Sequence, residues 1–274
     1  MPALPEPLGK FFRDRGPHLA AMIAYFALLS FVPLLFLTVS ALGLAGRPDE
    51  SSYLVTELKR AFPDSSVSSI VRTVDEVHRH ATALGIIGGA ALVWTSLSLF
   101  SVLESAFNIV YGQPNRSFLR GKLLAVGLML LSLVTLFVGL LAGSVGFDLL
   151  KRYVDFLAGN SYVAYGLSVA VSLLAVFVFL VAVYYLLTNV EHTFAEVLPG
   201  AVFATLILGA SFQVLPLYVR FSSNVVALKA FGGPALLLVW LYVMANVIVL
   251  GAEVNWWLVN RRRPSVPEEA AGLA

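Results

Sequence analysis

The stretch LFSVLESAFNIVYG, residues 99–112, decides how the chain is read. It closes an apolar run, residues 82–110, yet carries Glu104 and, one helical turn further along the same face, Asn108. The run exceeds the roughly 20 residues that a helix needs to cross hydrocarbon. Because lipid offers no hydrogen-bond partners, the backbone has to close its own bonds, and the run is read as a helix. An ionised carboxylate there costs roughly 2.5 to 3.5 kcal/mol on insertion scales. Glu104 therefore calls for a partner, a water-filled cavity or a role.

Working outward, five more apolar runs fall at 19–45, 122–147, 162–188, 196–219 and 232–259. The composition agrees: 59% of the 274 residues are hydrophobic and 12% are charged, whereas soluble domains carry about 25% charged residues. No alternating barrel pattern is present. The expected fold class is all-α, a polytopic membrane bundle of six transmembrane helices. The amino-terminal run is too long for a signal-peptide core, which spans about 7–15 residues, so it is read as a retained first span.

Six spans put both termini on one side. Nine of the 18 Lys and Arg residues fall on that side, and they cluster at span ends as Arg116, Arg120 and Lys122 and as Arg261, Arg262 and Arg263. Basic residues flanking spans mark the cytoplasmic face, so residues 1–18 and 260–274 are expected inside and these Arg and Lys residues form an inner basic rim. The first outer loop, 46–81, spaces Val67, Ile70, Val71, Val74 and Val77 as one face of a helix. It is expected to form a helical cap. The tail from Pro264 is expected to be disordered.

The sixth span places Glu253 at a depth similar to that of Glu104, with Asn246 two turns above it. Glu104, Asn108, Asn246 and Glu253 thus form a candidate polar intramembrane site. Glu104, the deeper acid, is the stronger functional candidate. Glu253 sits beside the Trp256–Trp257 boundary, where an interfacial carboxylate has a structural explanation. Pro33 and Pro216 interrupt spans and are expected to kink them. Gly85 with Gly89, and Gly139 with Gly143, allow close helix approach, within the bundle or between copies, so the oligomeric state stays open.

Other chemistries lack their residues. With no cysteine there is no disulfide, thiolate site or thiol nucleophile. The four histidines, His18, His78, His80 and His192, fall in three separate segments and form no converging set, so no metal is expected. No phosphate-cradling glycine loop and no serine elbow occurs. No cofactor is expected. The net charge of +2 and the dispersed basic residues argue against nucleic acid. The expected partners are membrane lipids, anionic ones included, and envelope proteins recruited through loop 46–81.

Four stretches resemble the YihY/BrkB family of bacterial inner-membrane proteins, historically labelled ribonuclease BN: AYFALLSFVPLL, LESAFNIVYG, AEVLPGAVFATLIL and FGGPALLLVWLYVMANVIVLGAE. The family's acid and following Asn fall on Glu104 and Asn108, and its Gly-Ala-Glu falls on Gly251, Ala252 and Glu253. Many relatives carry Asp at the first acid, and Tyr-Gly where this chain has Phe231-Gly232. The resemblance implies six spans, cytoplasmic termini and a connection with envelope integrity and lipid movement. It implies no catalytic set. The expectation is a non-enzymatic inner-membrane protein that moves or positions an anionic lipid through a cytoplasmic-side polar cavity. Its rivals are an ion- or proton-coupled solute transporter and a non-transporting envelope scaffold.

Overall fold

A computed structural model describes residues 6–44, 81–132, 161–222 and 226–262. The expected helical cap in loop 46–81, Gly139 and Gly143, the far half of the third run, Arg263 and the tail lie outside the described residues. Seven helices make up the described chain: α1 (Glu6–Arg13), α2 (Gly16–Leu44), α3 (Ala81–Tyr111), α4 (118–132), α5 (Ser161–Leu187), α6 (Phe194–Ser222) and α7 (Val226–Arg262). The fold is a helical membrane bundle.

Local sequence sets the helix ends. Gly112 adopts φ +64° after Tyr111. That lets Gly112 N–H reach the Ile109 carbonyl and Gln113 N–H reach the Asn108 carbonyl, a Schellman close for α3. Thr193 precedes α6, and Glu196 turns back to accept its N–H at 2.8 Å, half of a capping box. Helix α2 continues through Pro33, which is buried and offers no N–H to the turn before it. Pro216 likewise falls inside the bounds of α6.

Packing and exposure are those of a bundle in lipid. Helix α7 packs on α2 and α6, α3 packs on α2, and α5 packs on α6. The interior is filled by Phe107, Leu180, Tyr184, Leu187, Val197 and Val249, with the Phe107 and Tyr184 rings edge to face at 5.3 Å. Outside, Leu174 and Val178 on α5, Leu198, Val202 and Leu206 on α6, and Val239 and Val243 on α7 repeat every four residues and are exposed. Soluble proteins rarely expose such apolar stripes. Gly89–Tyr111, Phe194–Ser211 and Ala235–Arg261 are long and apolar enough to cross a membrane, and Gly16–Phe31 and Ser172–Leu187 are shorter apolar stretches.

One end of this bundle gathers the start of α2, the ends of α3, α5 and α7, and the start of α6. Helix α1 lies there too, packed on α7 and α2. The indole of Trp257, near the end of α7, donates to the carboxylate of Glu6, so the first and last described helices meet at this end.

Candidate functional site

Two polar clusters occupy this end of the bundle, and each holds one of the two acids. The first is built on α3. Ser101, Glu104, Ser105 and Asn108 follow one another at the i, i+3, i+4, i+7 spacing of a single helix face. That face receives the chain as it turns back from α3 into α4.

Glu104 Oε1 accepts the backbone N–H of Arg116 at 3.2 Å, and the Arg116 guanidinium lies 3.6 Å from the same oxygen. Arg116 also donates to the carbonyls of Leu187 and Thr188 at 2.6 and 2.8 Å, closing the last turn of α5. Gly121 passes so near that a Cβ there would stand 2.9 Å from Glu104 Oε2. Lys122 donates to Ser101 at 2.9 Å.

Asn108 is fully buried. Its side-chain oxygen accepts the N–H of Asn189 at 2.8 Å and its amide donates to Asn115 at 3.1 Å. Asn115 donates in turn to Ser105, and Asn189 to the Pro114 carbonyl. The polar stripe of α3 thus ties two loops and a helix end together.

The second cluster lies between α1 and α7. Glu253 is 0% exposed, and Lys10, itself 8% exposed, reaches in from α1. Its ammonium stands 3.1 Å from Glu253 Oε2, an ion pair, while Oε1 has no hydrogen-bond donor. Lys10 instead donates to the Val110 carbonyl at 2.6 Å and to Asp14 one turn along α1, and it lies 4.3 Å over the Trp256 ring.

Directly beyond, Asn255 accepts the Gly200 N–H at 2.6 Å while its own amide is left without a partner. Here α6 and α7 touch backbone to backbone. A Cβ on Gly200 would meet the Gly251 carbonyl at 2.1 Å, and one on Gly251 would meet the Tyr184 hydroxyl at 2.3 Å. Tyr184 donates to the Ile248 carbonyl at 2.7 Å, joining α5 to α7.

Of the four expected site residues, Glu104 and Asn108 share one cluster and Glu253 belongs to the other. Asn246 joins neither: it is half-buried and donates to Tyr242 of its own helix at 2.7 Å. The expected rim also divides. Arg116 and Lys122 are drawn into the first cluster, whereas Arg120 and Arg261 are exposed, the latter 5.2 Å from the Trp257 ring. Lys10, Asp14, Asn189, Tyr184 and Asn255 were not singled out from the sequence as site residues. The Lys10–Asp14 spacing of four on an amphipathic stretch, and an amide two residues past Glu253 in an apolar run, were the available signals. Among the described residues, no three His, Asp or Glu side chains converge as a metal site.

A helical bundle clothed in apolar stripes, with two polar clusters around buried acids at one end, defines an integral membrane protein. The chain belongs to the family described as Virulence factor BrkB, which it matches over residues 8–272. Over 98% of both chains it is 27% identical to a ribonuclease-like protein, YfkH, of Bacillus subtilis. It is 27% identical to the UPF0761 membrane protein azo3165 of Azoarcus, covering 97% of this chain and 66% of that one. It is 30% identical to a UPF0761 membrane protein of Chromohalobacter salexigens, covering 95% of this chain and 64% of that one. The chain thus spans slightly less than two thirds of these two relatives. No solved structure matches it.

Proposed function

We propose that this chain is a non-enzymatic protein of the bacterial inner membrane that moves or positions an anionic lipid or similar amphiphile, using the inner end of the bundle as its polar site. The observation that carries this reading is Glu253. It is wholly buried near the end of a membrane helix, with the Lys10 ammonium 3.1 Å from Oε2 and no hydrogen-bond donor at Oε1. A buried carboxylate with one ionic partner and an unmet second oxygen is only partly compensated. Intramembrane acids of this kind mark pathways for ions, protons or polar groups. Glu104, by contrast, is accounted for by the loop and helix end it holds.

An anionic headgroup needs positive charge near two acids. Lys10 supplies it inside, and Arg13, Arg15, Arg120 and Arg261 supply it on the surface of the same end. Those exposed basic residues also favour a cytoplasmic position for this end, and with it cytoplasmic termini. A second reading, coupling to a cation or proton, is favoured by the ammonium of Lys10, which occupies a place beside Glu253 that another cation suits.

The test is reconstitution into vesicles carrying fluorescent phosphatidylglycerol in one set and fluorescent phosphatidylcholine in another. Faster transfer between leaflets than in protein-free vesicles, larger for the anionic lipid, is expected. Equal rates with and without protein rule the reading out.

A further inference from the structure

We infer that α1 is a hinged latch that closes the inner end of the bundle over Glu253 and has to leave its seat before that carboxylate meets water or a headgroup. The inference rests on the role proposed for Glu253 and names how access to it is controlled. Helix α1 has eight residues, too few to be stable as a helix on its own, so its order depends on its seat. The seat has three points. Lys10 reaches Glu253 and the Val110 carbonyl, Phe11 is buried against the start of α2, and Glu6 accepts from Trp257.

The joint between α1 and α2 has the features of a hinge. Arg15 sits at φ +57°, a left-handed conformation that costs an L-residue roughly 1–2 kcal/mol. Next to it, the Phe11 ring occupies the space where Gly16 would carry a Cβ, with ring atoms 2.2 and 2.3 Å from that position. The ring lies flat on glycine backbone, and any larger residue at 16 pushes α1 away without altering a charge. The outer face of α1, with Phe12 and Arg13, is exposed, so nothing else among the described residues holds it down.

Water-soluble carbodiimide with an amine nucleophile, applied to the full chain in nanodiscs and read by mass spectrometry at Glu253, measures this opening. Exposed Glu191, in the turn before α6 and not on α1, serves as the internal reference. Gly16→Ala displaces the Phe11 ring and Lys10→Met removes the ammonium. Gly9→Ala, which adds a methyl to α1 in open space, is the control. Glu253 is expected to stay protected in the unaltered and Gly9→Ala chains. In the other two it is expected to label about tenfold faster, as when a local opening is eased by about one hydrogen bond. Equal protection of Glu253 in all four chains, or equal labelling in all four, overturns the latch. Gly16→Ala keeps every polar pair, so it carries the test if Lys10→Met does not fold. Labelling is read without any lipid movement, so a failed transfer assay leaves this result standing and a failed latch leaves the transfer assay standing.

Discussion

The guanidinium of Arg116 lies 3.6 Å from Glu104 Oε1 while its other donors close the last turn of α5 at Leu187 and Thr188. One side chain thus joins α3, the turn after it and the end of α5, and Glu104 is the anion that holds it in place.

The two partners are not equivalent, because removing the cation strands a carboxylate that is 5% exposed. Arg116→Met is expected to cost about 3 kcal/mol, within the range for breaking a buried pair. In Glu104→Gln the amide oxygen still accepts the Arg116 N–H, so the cost is expected near 1 kcal/mol. Thermal unfolding of both variants in detergent checks the order; an equal or reversed order contradicts the assignment.

Asn108 joins two loops through hydrogen bonds to Asn189 and Asn115. Asn108→Leu keeps the volume and removes both, leaving a buried N–H unmet, and is expected to lower stability by about 2 kcal/mol. Hydrogen exchange checks the location: faster exchange is expected at the N–H of Asn189, with the middle of α7 unchanged.

Much of the fold was legible because apolar runs in lipid leave the backbone no alternative to helix. The run 82–110 became Ala81–Tyr111, and Tyr-Gly at 111–112 marked its close. The candidate site was legible only in part. Depth in the membrane made Glu104 the stronger functional acid, yet depth says nothing of what folds over a residue. The turn bearing Asn115, Arg116 and Gly121 comes back onto the Glu104 face, whereas Lys10 meets Glu253 from 243 residues away along the chain. The surroundings of the two acids therefore differ in a way that depth does not register. Asn246, two turns from Glu253 by spacing, donates its amide to Tyr242 within α7.

The contact of α6 with α7 depends on two glycines facing each other. Gly200→Ala and Gly251→Ala each put a methyl within 2.3 Å of a backbone carbonyl or a buried hydroxyl. Each is expected to cost about 3 kcal/mol or to abolish folding, whereas Gly127→Ala, with open space around it, is expected to be neutral. Size-exclusion profiles of fluorescently tagged variants separate the cases.

Glu196 closes the start of α6 through the Thr193 N–H. Glu196→Ala is expected to cost about 1 kcal/mol, the loss of one cap interaction. Glu196→Gln, which keeps an acceptor, is expected to recover most of that in the same thermal assay.

On the role proposed for Glu253, that residue and not Glu104 is the acid kept for function. The most direct measurement of this is the transfer of fluorescent phosphatidylglycerol in vesicles bearing unaltered, Glu104→Gln or Glu253→Gln protein, each shown to be folded before reconstitution. Dithionite is added outside to bleach whatever label reaches the outer leaflet. The account predicts that unaltered and Glu104→Gln vesicles bleach beyond the outer-leaflet share, while Glu253→Gln vesicles stop there as protein-free ones do. Transfer by Glu253→Gln at the unaltered rate contradicts it.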